Sequence, residues 1–190
     1  IANGWSSYFS RLLAGLGVDL PKEIYTLPSA GGYGNIPAVI VVLLITFILS
    51  KGTSSSKLVN NLMVAAKVGI VILFIVVGSF YVEPTNWTNN FAPTGFSGVM
   101  LAATTVFFAY LGFDAISTSA EETINPEKAL PKAIIITMIV CTAFYIIVCL
   151  VLTGVVEYSR LGTGDALAFV LEEVGQNRVA GIVSLGAVIG

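Results

Sequence analysis

The sequence predicts an all-α integral membrane protein, and three observations point to that class. Of the 190 residues, 56% are apolar and only 11% are charged, whereas a soluble domain carries about 25% charged residues. Nine basic and eleven acidic residues leave a formal net charge of -2, which excludes the strongly basic surface of a nucleic-acid-binding protein. Long runs contain almost no charge, and a helix built from such a run favours lipid over water as its solvent.

Apolar segments divide the chain into predicted membrane helices. Four stretches have the roughly 17 or more residues that cross a bilayer as helix. They are residues 34–50, 58–82, 96–120 and 130–156. Residues 1–16 and 178–190 are typical of parts of two further helices, so we expect one transmembrane domain within a larger membrane protein. An amphipathic stretch at 165–174, with Glu172 and Glu173 on its polar side, predicts a short helix over the outer face.

The basic residues predict the orientation. The short connections 51–57 and 121–132 together hold four lysines: Lys51, Lys57, Lys128 and Lys132. The connections on the other side hold fewer basic residues over a greater length, so the positive-inside rule makes 51–57 and 121–132 cytoplasmic. Tyr81, Trp87 and Tyr158 fall near the predicted outer boundary, where aromatic rings prefer to lie. We expect a multi-pass protein of the plasma membrane, and the start of the chain lacks the pattern of a signal peptide.

Catalytic and metal-binding chemistry is not predicted. The chain contains no histidine, which removes imidazole catalysis and histidine-ligated metal. No nucleophile with an adjacent base and no metal-ligand cluster is present in the pattern of residues. We therefore expect a protein that is not an enzyme and that has no bound cofactor.

Lys67 lies in the middle of the predicted helix 58–82. It follows Lys57 by ten residues, about 15 Å along a helix axis, too far for easy snorkelling to water. A lysine at the centre of a spanning helix costs about 2.5 to 3.5 kcal/mol and usually faces a bundle interior or an aqueous cavity. Two interpretations remain open. Lys67 is either a structural ammonium with oxygen partners or a coupling residue whose protonation follows conformation.

The segment 106–123 has a composition that a lipid-facing helix does not need. Aromatic residues are followed by Gly112, then by the acid Asp114, and then by several hydroxyl side chains. A glycine at this depth permits a helix break, whose free carbonyl groups bind a cation or an ammonium when the break lines a cavity. A closely packed, unbroken helix is the alternative. Asp114 favours the break because a carboxylate within the span needs a partner, and Lys67 is a candidate for it.

Glu121 and Glu122 follow this segment directly. Pro126 and Pro131, a few residues later, predict a loop. Two interpretations of the acidic pair remain open. They are the charges of a solvated loop, where surface ion pairs contribute less than about 1 kcal/mol, or they form a cytoplasmic gate.

Residues 107–134, FFAYLGFDAISTSAEETINPEKALPKAI, resemble the sixth helix and following loop of one transporter group. The group is that of the cationic amino acid transporters, within the amino acid, polyamine and organocation (APC) superfamily. Residues 58–82, with the central lysine, resemble the fifth helix of its bacterial members, and residues 4–9, GWSSYF, resemble part of the third. By this resemblance the chain runs from within helix three to within helix eight.

The resemblance implies a LeuT-like fold of two inverted repeats, with the sixth helix broken near the bilayer midplane. It places the substrate at that break, over residues 108–112. The substrate-binding residues it implies are Phe108, Ala109, Tyr110, Leu111 and Gly112. Backbone carbonyl groups around Phe108, Ala109 and Leu111 would hold the substrate ammonium, and the ring of Phe108 would cover the substrate as a gate.

The same resemblance implies how transport is coupled. Lys67 would take the place where sodium-coupled relatives bind an ion, which makes protons the coupling ion. Asp114 would lie just below the break and join Lys67 in proton coupling. Glu121 and Glu122 would belong to the cytoplasmic gate.

The implied function is secondary transport by alternating access. We expect a proton-coupled, sodium-independent transporter of cationic or small neutral amino acids. Its partners would be the amino acid, the lipid bilayer and the remaining transporter helices, and nucleic acid would not be among them. An amino acid exchanger, a channel and a non-transporting amino acid sensor remain as alternatives.

Overall fold

A computed structural model describes residues 2–25, 32, 34–50, 57–88, 94–110, 112–113, 116–117, 120 and 123–189. Within these ranges the regular structure is helical and contains no strand. The prediction of an all-α protein is therefore confirmed. Two of the described helices, Asn60–Ser79 and Pro126–Val155, are long and apolar enough to cross a membrane by length and composition.

The α-helices are numbered in chain order. They are α1 (Ala2–Gly15), α2 (Lys22–Tyr25), α3 (Ile36–Ser50), α4 (Lys57–Ser79), α5 (Thr85–Thr88), α6 (Gly95–Phe107), α7 (Pro126–Val155), α8 (Ala166–Glu173) and α9 (Asn177–Ile189). Short 3₁₀ turns occur at Phe108–Tyr110 and Tyr158–Arg160.

Local chemistry sets several helix boundaries. The side-chain oxygen of Asn35 accepts the backbone N–H of Ala38 at 3.1 Å, which caps the start of α3. At the end of α8, Gly175 adopts φ +78°, and Gln176 N–H donates to the carbonyl oxygen of Leu171 at 2.8 Å. This left-handed glycine closes α8 and lets α9 begin at Asn177.

The helix α7 begins within the predicted cytoplasmic connection 121–132. Pro126 is its first residue, a position where the fixed φ of proline suits a helix and its missing N–H costs nothing. Pro131 lies inside the helix rather than in a loop. It removes one backbone hydrogen-bond donor. Because this loss falls near the start of a helix of 30 residues, the later turns keep their hydrogen bonds and the helix continues.

The first compact unit consists of Ile1–Val82 and Val151–Gly190. The helix α9 is central to it, because α1, α4 and α8 all pack on α9, and α3 packs on α1. Phe74, Val170, Leu171 and Val183 are fully buried there. Each such side chain contributes about 1.5 to 3 kcal/mol relative to exposure in water.

Glycines allow close approach between helices of this unit. A Cβ at Gly78 would lie 2.5 Å from a methyl carbon of Val151, and a Cβ at Gly186 would overlap the side chain of Ile70. Gly78 on α4 therefore meets the end of α7, and Gly186 on α9 meets α4. Both contacts depend on the missing side chain.

The second compact unit is Glu83–Leu150, which contains α6, the 3₁₀ turn Phe108–Tyr110 and most of α7. Many large apolar side chains on α7 are exposed, among them Ile135, Ile139 and Ile146, at 56 to 63%. An exposed apolar surface of this kind is typical of helices that meet lipid or other helices.

Candidate functional site

The helix α6 ends within the segment 106–123, for which the sequence left a break and an unbroken, closely packed helix open. Its last residue is Phe107. The N–H of Phe108 donates to the carbonyl oxygens of Thr105 and Val106, three and two residues earlier, whereas an α-helical hydrogen bond spans four residues. One 3₁₀ turn follows, at Phe108–Tyr110. Gly112 then adopts φ +105°, a conformation that side-chain-bearing residues rarely take. The chain therefore leaves the helical path within the segment predicted to bind substrate.

Two side chains of α7 hold this turn. The hydroxyl of Tyr145 donates to the carbonyl oxygen of Ala109 at 3.0 Å. The hydroxyls of Tyr110 and Thr142 lie 2.9 Å apart, and Thr142 gives its only proton to the carbonyl oxygen of Met138 at 2.7 Å. Tyr110 is therefore the donor to Thr142. The rings of Tyr110 and Tyr145 also meet edge to face, with centroids 5.3 Å apart.

The sequence analysis missed Tyr145 and Thr142. Both lie in the segment 130–156, which is the most uniformly apolar of the predicted helices. The available signal was that these polar side chains are three residues apart, so they lie on one face of a helix. That face proves to be the one that contacts the 3₁₀ turn.

The turn carries a carbonyl oxygen and an exposed aromatic side chain that bear on ligand binding. A carbonyl oxygen has two lone pairs, and Tyr145 uses one of those on Ala109. The ring of Phe108 is 67% exposed and meets the ring of Phe107 edge to face at 6.3 Å. The turn therefore offers an acceptor oxygen beside an aromatic ring that the described core does not cover.

Four of the predicted site residues lie outside the described residues. They are Leu111, Asp114, Glu121 and Glu122. The predicted pairing of Asp114 with Lys67 and the predicted cytoplasmic gate therefore stay predictions.

Lys67 lies in the first unit, on an apolar stretch of α4. With residues of α4 and α9 it lines a groove of about 260 Å³. The other lining residues are Leu62, Met63, Ala66, Ile70, Leu185, Gly186 and Ile189. Within the part of the chain that the structure describes, no carboxylate forms an ion pair with Lys67. Lys67 is an exposed residue that lines the edge of an apolar groove.

A charged cluster joins α1 to the connection between α7 and α9. Arg11 donates from Nε to Asp165 and from Nη1 to Glu172. Asp165 directly precedes α8 and Glu172 lies in its last turn, so one guanidinium holds both ends of that helix. Arg160 forms a second pair with Glu173 at 2.8 Å. The sequence analysis did not single out Arg11. The available signal was that Arg11 is a cation within an otherwise apolar segment.

The helix α8 occupies the predicted amphipathic stretch. Three of its apolar residues, Ala168, Val170 and Leu171, are completely buried within the first unit. Glu172 and Glu173 are exposed. Gln176 donates to the hydroxyl of Tyr81 at 2.7 Å. The end of α4 and the connection that carries α8 therefore lie at the same end of this unit.

Comparison with known proteins identifies relatives over the whole chain. A family model described as amino acid permease matches residues 4–190. The methylthioribose transporter of Bacillus subtilis is 50% identical over all of this chain and 41% of its own length. The branched-chain amino acid permease BcaP of Bacillus subtilis is 47% identical over all of this chain and 42% of its own length.

A more distant relative is the human cationic amino acid transporter 4. It is 31% identical over 99% of this chain and 31% of its own length. The chain thus spans about two fifths of the two bacterial relatives. All three relatives are named as permeases or transporters, so the prediction that the protein is not an enzyme is confirmed.

Proposed function

Because this chain belongs to the amino acid permease family of the APC superfamily, we propose that its protein is a secondary amino acid transporter working by alternating access. Family membership supports a membrane location. We further propose a multi-pass protein of the plasma membrane, with the connections 51–57 and 121–132 in the cytoplasm. The fold proposed for the whole protein is the LeuT-like one, with inverted repeats.

The observation that carries this proposal is the 3₁₀ turn after α6. An amino acid ammonium needs acceptor oxygens within a dry site, and a helix break supplies them from the backbone. The carbonyl oxygen of Ala109 accepts the hydroxyl of Tyr145, and a carbonyl oxygen has the capacity to accept a second donor such as an ammonium. The exposed ring of Phe108 supplies an apolar and aromatic surface for the substrate, and a ring face also attracts a cation.

The contacts from α7 make the turn a preorganised site. Tyr145 and Thr142 fix the turn at two points, Ala109 and Tyr110. A site held in its bound geometry loses less conformational freedom when the ligand arrives. The substrate carboxylate would be held by other helices of the protein.

Lys67 is proposed as the proton-coupling residue, with Asp114 as its partner in that role. An ammonium beside an apolar groove is costly unless an oxygen or water reaches it. We propose that Lys67 meets two environments during transport, one in which the groove between α4 and α9 is open to water and one in which it is covered. Protonation that follows this change links proton movement to conformation without sodium.

The relatives support transport but differ in the substrate that their names print: methylthioribose, branched-chain amino acids and cationic amino acids. We propose a cationic or small neutral amino acid. The test is uptake of radiolabelled L-arginine, L-lysine, L-alanine and L-isoleucine into proteoliposomes that hold the full-length protein, with methylthioribose in the same series. Saturable uptake of at least one amino acid is expected. Uptake of methylthioribose alone, or of no compound, would contradict the proposal.

A further inference from the structure

The two ion pairs of Arg11 are unequal. The side chain of Asp165 is 11% exposed, whereas that of Glu172 is 40% exposed. Asp165 receives the Nε hydrogen of Arg11, and Glu172 receives a hydrogen from Nη1. Arg11 is therefore held in place by a buried carboxylate, and its second partner is one that solvent reaches. A partner that solvent reaches is the easier of the two to replace.

The Arg11–Glu172 pair stands where two cavities meet. One cavity, of about 650 Å³, has polar side chains in its lining, among them Asp19, Lys22 and Thr163. The other, of about 620 Å³, lies along α1 and α9 and includes Leu12, Arg178 and Ser184. Arg11, Gly15 and Glu172 line both. A solute in either cavity therefore has this ion pair in the wall around it.

We propose that Arg11 is a carboxylate-binding residue where these two cavities meet. The carboxylate of an arriving amino acid replaces Glu172 on the Nη atoms of Arg11, while Asp165 keeps the guanidinium in place. The released Glu172 carboxylate then faces the substrate ammonium. This inference rests on the proposed function, since it takes the substrate to be an amino acid.

The chemistry of the exchange is balanced. A guanidinium has five N–H donors. Asp165 uses the one on Nε, which leaves the four on Nη1 and Nη2. Once Glu172 has moved, these can bind a carboxylate through two parallel hydrogen bonds. A zwitterion brings one negative and one positive group to an ion pair, so no unpaired charge is created when the original pair opens.

The test uses isovalerate, a carboxylate without an ammonium group, as its probe. The full-length protein is compared with its Glu172→Gln variant, and Glu173→Gln is the matched control because Glu173 pairs with Arg160 instead. The apparent dissociation constant is taken from the rise of the unfolding temperature with isovalerate concentration. Glu172→Gln removes the competitor for Arg11 and alters an exposed side chain, so the variant is expected to fold.

We expect Glu172→Gln to bind isovalerate about two- to fivefold more tightly than the unmodified protein, the range that corresponds to loss of an exposed ion pair. Glu173→Gln should bind as the unmodified protein does. Adding Arg11→Lys to Glu172→Gln should cancel the gain, because lysine lacks the paired donors of arginine. Equal binding by Glu172→Gln and Glu173→Gln would overturn the proposal.

This outcome is separate from the fate of the proposed function. The binding measurement requires no transport, so equal binding with intact amino acid uptake would remove only the role of Arg11. A protein that takes up no amino acid would overturn the proposed function, and with it the amino acid as the ligand of Arg11, whatever its affinity for isovalerate.

Discussion

The hydroxyl of Tyr145 on α7 donates to the carbonyl oxygen of Ala109 at 3.0 Å, at the turn where α6 has ended. The side chain of Tyr145 thus donates to a carbonyl group that, in an unbroken helix, would accept a backbone N–H. The contact joins two segments that are 36 residues apart in the chain. It makes α7 the support of the candidate substrate site in the second unit.

Replacing Tyr145 by phenylalanine removes this donor and keeps the ring. We expect the free energy of unfolding to fall by about 1 kcal/mol, the usual net value of one hydrogen bond. We also expect a rise of a few fold in the KM of amino acid uptake, because the turn loses one of its two fixed points. Tyr158→Phe, on a residue that is 61% exposed, is the control. An unchanged KM in Tyr145→Phe would remove Tyr145 from the support of the site.

Phe108→Ala tests whether the exposed ring contacts the substrate. The ring contributes little to the described core, so stability should change by less than about 1 kcal/mol. The affinity for the substrate should fall about tenfold, as expected when an aromatic side chain that covers a ligand is lost. Phe96→Ala, near the start of α6, is the control, since Phe96 is also highly exposed, at 76%. Unaltered substrate binding in a well-folded Phe108→Ala protein would contradict the assignment.

Lys67→Ala tests proton coupling. The variant should lose the stimulation of uptake by an inward proton gradient, and its uptake should become nearly independent of pH between about pH 5 and 8. Lys132→Ala serves as the control because Lys132 is likewise an exposed lysine but does not line the groove that Lys67 lines. If Lys67→Ala takes up substrate at the unmodified rate at every pH, Lys67 is a structural charge.

Two glycines of α4 make a matched test of packing. Gly78→Ala would bring a methyl group against the side chain of Val151, which is itself buried, and overpacking of this kind costs about 1 to 3 kcal/mol. Gly69→Ala meets no atom within 4 Å and should be neutral or slightly stabilising, because alanine favours a helix over glycine. Thermal unfolding of the two proteins checks this. Equal midpoints would show that α4 and the end of α7 do not approach as closely as described.

Periodicity and hydropathy predicted the helices better than their ends. The helix α8, Ala166–Glu173, lies within the amphipathic segment 165–174, because burial of one face leaves a pattern in the sequence. The start of α7 was less visible. Pro126 and Pro131 predict a loop when only the sequence is considered, yet proline at the first turn of a helix costs little, so α7 begins at Pro126.

The candidate site was predicted in part. Gly112 and Asp114 favoured a break somewhere within residues 106–123, and a family resemblance assigned the substrate to residues 108–112. The support from Tyr145 was not predictable, since a contact across 36 residues leaves no periodic signal. The partners of Arg11 lie 154 and 161 residues away along the chain. Contacts over such separations likewise leave no periodic signal in the sequence.

Uptake of an amino acid into proteoliposomes that hold the full-length protein tests the central claim most directly. L-isoleucine or L-arginine is supplied outside, in the absence of sodium, with and without an inward proton gradient and with and without amino acid preloaded inside. Saturable uptake that rises with the proton gradient is the predicted result. Uptake that ignores the gradient and rises only with preloaded amino acid would make the protein an exchanger, and no uptake under either condition would contradict amino acid transport.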